Sequence, residues 1–351
     1  MLLRATRRDW IAGVAAGALA GAQTESLRLG RRIRIGIIGT EGHTSEITGP
    51  LRQVPDAELV AWAAPDAPTN LPGVKIYSDY RDMLDRERLD VAGVCNSNGE
   101  RAAAVLACLE RGLHVAAEKP LATERADLER IRQVLGRGKS RLTMLLPMRF
   151  EPVYAAMHSI VQSGEIGEVA QITAQKSYKR GDRPAWFRKH STYGGTIPWI
   201  GTHMVDLMRW TSGREFVEAA SFQTRIGFPE LGDMENVTGS LFRLDNGGVA
   251  LLNMDFLRPG TAPGHGDDRL RLAGTKGVVE YQGPTGLTLM TASRALEKVE
   301  QLPREQSLFL DFLASVYLGR PPGLSLADIF RVNEIVLLAR EAAERHRFVS
   351  L

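Results

Sequence analysis

Between Arg31 and Leu146 short apolar runs alternate with helical stretches, and that alternation constrains the fold before any motif is considered. Arg31–Ile38 (RRIRIGII) is polar at its start and continuously apolar at its end, as in a strand buried on both faces. Ala57–Ala63, Val91–Val94, His114–Ala117 and Thr143–Leu146 read as further strands. The helices between them are Ser45–Gln53, a short one led by Tyr77-Ser78-Asp79 and running to Asp85, Glu100–Arg111 and Thr123–Leu135. Strands separated by helices of this length cannot pair as hairpins; they predict a doubly wound parallel sheet.

In such a sheet ligands lie beyond the carboxyl ends of the strands. Two segments fall there. Gly39-Thr40-Glu41-Gly42-His43-Thr44 follows the first strand and opens a helix, the arrangement that offers free N–H groups to a pyrophosphate. Against G-x-G-x-x-G, Gly39 fits the first glycine, while Glu41 stands at the second and Thr44 at the third. A carboxylate about 4 Å from a phosphate would cost on the order of 4 kcal/mol at an effective dielectric near 20, so either Glu41 turns outward, or the cofactor sits differently, or it is absent. At the end of the second strand the ribose-binding acid is expected at Ala64, which cannot serve; Asp66 lies two residues on. That leaves NAD and NADP both open. The second segment is Glu118-Lys119-Pro120, directly after the strand His114–Ala117, with the proline holding Lys119 extended. Taken alone, such a triplet is a solvated charge pair at a turn. Asn96-Ser97-Asn98-Gly99 is read as a side-chain cap for the helix that follows it.

After the helix Pro152–Gln162 the pattern turns to strands: Val169–Ser177, Glu218–Ile226, Asn236–Arg243, Val249–Phe256, Arg269–Leu272, Val278–Tyr281 and Leu287–Met290. Asp245-Asn246-Gly247-Gly248 is a hairpin turn. The reading is therefore an α/β Rossmann-type doubly wound parallel sheet (residues 31–150), followed by an α+β domain with a large, mostly antiparallel sheet (residues 151–351). Gln306–Leu318 and Ser325–Arg345 are two amphipathic helices expected to pack back on the first domain.

The strand–glycine turn–helix, the Asn98 loop, G-x-H-V-x-x-E-K-P-L-A from Gly112 and M-R-F-x-P from Met148 together resemble the glucose–fructose oxidoreductase, inositol dehydrogenase and MocA family. Gly194–Asp206 resembles its second signature, G-G-x-x-x-D-x-G-x-H-x-x-D, with Trp199 where the family carries its acid. The resemblance implies NAD or NADP as cofactor and a sugar, polyol or glycoside as substrate. It implies cofactor contacts from Gly39, Thr40, Gly42, His43, Ser97, Asn98, Glu118 and Lys119. Lys119 would hold the reacting hydroxyl and His203 would act as base. Asp206, three residues on and on the same helical face, is the candidate to support His203 in place of the missing acid. Arg149 and Trp199 join Lys119 and His203 as candidate substrate residues, with Trp199 as a stacking face for a sugar ring.

Three readings follow: a sugar or polyol oxidoreductase with tightly held cofactor, a redox-neutral glycoside hydrolase or lyase that oxidises its substrate transiently, and a non-catalytic sugar-binding member of the fold. The formal charge of +3 gives no argument for nucleic acid or anionic membrane. No Cys/His spacing suits a metal, and Cys95 and Cys108 read as buried thiols. Thr6-Arg7-Arg8-Asp9-Trp10-Ile11 and the apolar run Ala12–Ala22 read as a twin-arginine signal over residues 1–22, implying export to a bacterial periplasm. That run is well short of the roughly 20 residues that span a bilayer. Homo-oligomers through the second-domain sheet are implied by the resemblance.

Overall fold

The computed structural model describes residues 26–351; the export-signal reading, on residues 1–22, lies outside them. The first half is built on β1 (Ile33–Ile38), β2 (Ala57–Ala63), β3 (Lys75–Tyr77), β4 (Val91–Val94), β5 (His114–Ala117) and β6 (Leu142–Met144). They form one sheet in the order β3-β2-β1-β4-β5-β6, every pair parallel. Between them lie α1 (Thr44–Thr48), α2 (Tyr80–Arg86), α3 (Asn98–Glu110) and α4 (Arg125–Arg137). The strand order reverses between β1 and β4, which opens the ligand crevice at their carboxyl ends. Ile33, Ile35 and Ile37 and all four residues of β4 are buried, so the apolar runs are there because helices cover both faces.

Two local expectations are corrected. The helix expected over Ser45–Gln53 is α only to Thr48 and tightens to a 3-10 turn over Gly49–Gln53. Pro50 has no N–H to continue an α-helix. Ser97 does stand at the N-terminus of α3, but its hydroxyl donates to Glu100 Oε2 at 2.7 Å and caps no backbone N–H.

The second half begins with α5 (Pro152–Gln162) and β7 (Val169–Lys179), then α6 (His190–Tyr193) and α7 (Thr196–Ser212). There follow β8 (Phe216–Thr224), β9 (Val237–Leu244), β10 (Val249–Arg258), β11 (Gly266–Gly274), β12 (Gly277–Gln282), β13 (Gly286–Thr291) and β14 (Arg294–Lys298). The chain ends with α8 (Leu308–Leu318), α9 (Leu326–Arg345) and β15 (Val349–Ser350). The sheet runs β14-β13-β12-β11-β7-β10-β9-β8-β15; β7 and β10 pair parallel and the remaining neighbours antiparallel. Gly247, at φ +86°, makes the expected hairpin between β9 and β10. Along β10, Ala250, Leu252, Met254 and Phe256 are buried, while Val249 and Leu251 face outward.

The buried helix α7 packs on the covered face of this sheet, and α9 packs on α7 and reaches the first domain. Asn333 Oδ1 accepts from the Leu121 N–H at 2.9 Å, and Arg340 Nη1 donates to the carbonyls of Thr123 and Gly194, each at 2.9 Å. The C-terminal helices thus tie the residues after Glu118-Lys119-Pro120 to the start of α7. Both cysteines are buried free thiols, with their pKa values pushed up by burial. No helix among the described residues is long and apolar enough to cross a membrane.

Candidate active site

The charged pair at the end of β5 is not at a solvated turn. Glu118 and Lys119 are 2% and 4% exposed, enclosed by the glycine turn, the β4–α3 loop and α7. Lys119 Nζ donates to the Trp199 carbonyl at 2.9 Å, lies 4.4 Å from the centre of the Trp199 ring and 3.8 Å from Glu118 Oε1. Burial lowers its pKa to about 7, against the opposing pull of Glu118. Burial pushes the Glu118 carboxyl up, but His43, Lys119 and Arg101 together bring it below its usual range.

Glu118 is engaged by the turn itself. It accepts from the His43 backbone N–H at 3.3 Å and from His43 Nδ1 at 2.8 Å. Gly42 makes this approach possible: it has φ +66°, and a Cβ there would stand 2.5 Å from the Glu118 carboxyl carbon. The His43 ring meets the His203 ring edge to face, centroids 5.0 Å apart. Both histidines line a cavity of about 1,010 Å³ between the domains, with Met148, Tyr154, Lys176 and Tyr178 among its other walls.

His203 itself is 5% exposed, and its Nδ1 has no hydrogen-bond partner. Its pKa lies well below the usual imidazole value, through burial first and then the positive charges of Lys119, His43 and Lys176. Asp206 does not support it. Both Asp206 oxygens accept from Arg149, at 2.6 and 2.5 Å, and the two side chains are buried together. Arg149 is therefore a packed ion-pair partner rather than a substrate contact. Trp199 is partly buried and packed among other side chains. Its ring lies between Lys119 and the rings of Phe187 and Phe256, with Arg183 at 5.2 Å.

Of the residues expected to hold a dinucleotide, some remain available and some are spent. Gly39 (φ +82°) brings β1 against the Cys95 carbonyl, where no side chain fits. Thr40 Oγ1 donates to Asp66 Oδ2 at 2.7 Å, so Asp66 does reach the turn despite its offset from the expected position. Glu41 turns away from the turn and accepts from Trp186 Nε1, across the domain boundary, at 3.0 Å. Asn98, by contrast, is 1% exposed and fully used: it donates to the Tyr193 carbonyl at 2.8 Å and accepts from Arg101 at 3.0 Å. Sequence reasoning missed Arg101, which also donates to the carbonyls of Pro120 and Asn96 and so ties this loop to the end of β5. It read Asn96 only as part of a helix cap, whereas its Oδ1 is buried without a partner.

These features fit a nicotinamide dinucleotide. The turn is glycine-shaped, the misplaced carboxylate is drawn aside, an acid just past the end of β2 is tied to the turn through Thr40, and two buried polar atoms, Asn96 Oδ1 and His203 Nδ1, lack partners.

Comparison with known proteins agrees. A family model described as "Oxidoreductase family, NAD-binding Rossmann fold" matches residues 33–145, and one for the GFO/IDH/MocA C-terminal domain matches residues 154–280. The myo-inositol 2-dehydrogenase of Thermotoga maritima is 24% identical over 336 residues, covering 91% of this chain and 98% of that protein. Inositol 2-dehydrogenase 2 of Saccharopolyspora erythraea is 27% identical over 218 residues, 62% of this chain and 61% of that one. The matches to several of these curated relatives thus span only about half to three-fifths of their length. A solved structure from Thermotoga maritima, described as a candidate oxidoreductase, is 30% identical with a TM-score of 0.86, covering 91% of this chain and 100% of that one. The chain belongs to the glucose–fructose oxidoreductase, inositol dehydrogenase and MocA family of oxidoreductases, with an NAD-binding Rossmann domain.

Proposed function

We propose that this protein oxidises a ring hydroxyl of a sugar or polyol, with a tightly held nicotinamide dinucleotide as hydride acceptor. The observation that carries the reading is the buried pair Lys119 and Glu118 at the strand ends, with His43 bonded to Glu118 and set against His203, the two histidines lining a cavity large enough for a sugar. Gly39, Gly42, Thr40 and Asp66 would hold the dinucleotide, with Asp66 favouring NAD over NADP because a carboxylate repels a 2′-phosphate. When bound, the nicotinamide supplies a two-electron acceptor. The chain's own residues do the rest. The cavity walls exclude bulk water and orient the hydroxyl. Lys119, set behind the cavity wall, contributes a positive field that favours the oxygen as it loses its proton. An imidazole of the His43/His203 pair takes that proton, a role that typically contributes about 10²–10⁴-fold.

Export over residues 1–22 forms part of the same reading and accounts for a retained cofactor, since turnover with a released dinucleotide would need a pool outside the cytoplasm. The outward face of the second sheet, where Phe222, Leu241 and Leu251 are exposed, is the surface through which copies would associate. The test is to denature purified protein, assay the supernatant for nicotinamide, and offer myo-inositol and free aldoses without added NAD. Absorbance rising at the reduced-nicotinamide band supports an oxidoreductase. Release of an aglycone from glycosides instead marks the redox-neutral reading, and no nicotinamide by extraction or titration overturns both.

A further inference from the structure

We propose that His43, oriented by Glu118, is the catalytic residue that takes the proton from the reacting hydroxyl, and that this pair replaces the acid–imidazole pair broken by Trp199 at His203. The proposal rests on the oxidoreductase reading and names the base within it.

A general base needs a free nitrogen at the substrate and an anion on the other side of the ring, which fixes the tautomer and stabilises the imidazolium. His203 has the first without the second. No carboxylate among the described residues bonds to it: Trp199 stands in the acid's place, Asp206 is held by Arg149, and the amines of Lys119 and Lys176 oppose a positive charge on its ring. His43 has both. Its Nδ1 and its backbone N–H converge on Glu118, which is 2% exposed, so the carboxylate holds both the ring and the backbone of the residue. With Nδ1 donating, Nε2 is the nitrogen left to accept a proton, and the ring lines the cavity. Lys119 is the other candidate, but its amine is spent on the Trp199 carbonyl and it does not line that cavity.

In the step itself, the substrate O–H proton passes to His43 Nε2 and the carbon's hydride, with its electron pair, passes to the oxidised nicotinamide, leaving a carbonyl. His203, edge-on to His43 at 5.0 Å, is a positioning residue for that ring. Gly42 is required by the pair, since any side chain there would displace Glu118.

The test uses NAD-loaded protein with myo-inositol, D-glucose and D-galactose as probes. His43→Ala is expected to lower kcat by about 10²–10⁴-fold, with added imidazole restoring about tenfold or more of it. Glu118→Gln should lower kcat about 10–100-fold with KM little changed, and should add nothing in the His43→Ala background, because the two act as one unit. Should His43→Ala fail to fold, ¹⁵N spectra of the wild-type histidines decide: His43 is expected as the Nδ1–H tautomer, and Glu118→Gln should abolish that preference. The proposal is overturned if His203→Ala is the more damaging variant and the one imidazole rescues. It is equally overturned if Glu118→Gln keeps its full effect without His43, or if His43 shows the other tautomer. Turnover by wild type that His43→Ala leaves intact overturns this proposal alone; no nicotinamide reduction by wild type with any probe removes the parent reading with it.

Discussion

Replacing Trp186 by phenylalanine removes a single hydrogen bond, and its effect on dinucleotide binding can be worked out. In the wild type the indole N–H holds Glu41 Oε1 at 3.0 Å and draws the carboxylate off the glycine turn. Released, the side chain can return toward the pyrophosphate. A full charge pair about 4 Å apart is worth on the order of 4 kcal/mol at an effective dielectric near 20. Glu41 is only half-buried, so solvent and ions screen it, and about 1–2 kcal/mol is the fitting figure, or about 5–30-fold in affinity. The assay is titration of NADH fluorescence with apoprotein. Trp186→Phe should bind about 5–30-fold more weakly, the loss should shrink at high salt, and adding Glu41→Gln should recover wild-type affinity. An equal loss from Trp186→Phe in the Glu41→Gln background would refute the reasoning, since the indole would then be acting by packing alone. No loss at all would refute it as well.

Three further perturbations have defined outcomes. The Lys119 ammonium, with its pKa near 7, is charged below that pH and neutral above it, so kcat should fall as pH rises through 7, and Lys119→Met should lose both that limb and most of the rate. Asp206→Asn should cost up to about 3–5 kcal/mol in urea melts by leaving the buried Arg149 guanidinium only its 3.4 Å contact with Asp328, and Arg149→Met with Asp206→Leu should recover most of it; unchanged stability with lost turnover would return Asp206 to the catalytic set. Burial raises the Glu151 carboxyl from 4.5 to about 7 against the opposing pull of Lys176, with like charge from Asp268, Glu305 and Glu46 adding to the rise. The unfolded chain therefore ionises first and stability drains away between pH 4.5 and 7. Discounted for its partial exposure, Glu151→Gln should gain about 1–2 kcal/mol at pH 8 and nothing near pH 4.5.

The parallel sheet was legible because burial on both faces writes continuous apolar runs: Ala57–Ala63, Val91–Val94 and His114–Ala117 end in the structure where the sequence ends them. β14 was not, being exposed along its whole length and so without alternation. β3 and β15 are too short to carry a pattern. Lys119 and His203 stand in local motifs and were found from them. What those groups bond to was not legible. His43 and Glu118 are 75 residues apart, Arg149 and Asp206 57, Asn98 and Tyr193 95, and Glu41 and Trp186 145. A motif names the side chain; only the folded chain names its partner, and here the partner decides the role. Asp206 and Asn98 match the expected positions and are spent on neighbours, whereas Asp66 misses its position and arrives at the turn.

The three departures that would argue for a scaffold emptied of chemistry are each met by a replacement in the fold. Glu41 at a phosphate turn is drawn off by Trp186, Ala64 is covered by Asp66 through Thr40, and the acid missing at Trp199 reappears as Glu118 on a different imidazole. The last of these weighs most, because it is energetically unfavourable for a mere scaffold. Burying an ionised carboxylate and an ammonium side by side is often no more stable than packing apolar residues of the same size. Glu118 and Lys119 are nonetheless enclosed at the one edge of the sheet where a ligand would meet them, with a glycine kept free of side chain to admit the carboxylate. A binding-only protein gains nothing from enclosing a lysine charge beside an imidazole clamped by an anion. A proton-transferring enzyme needs both.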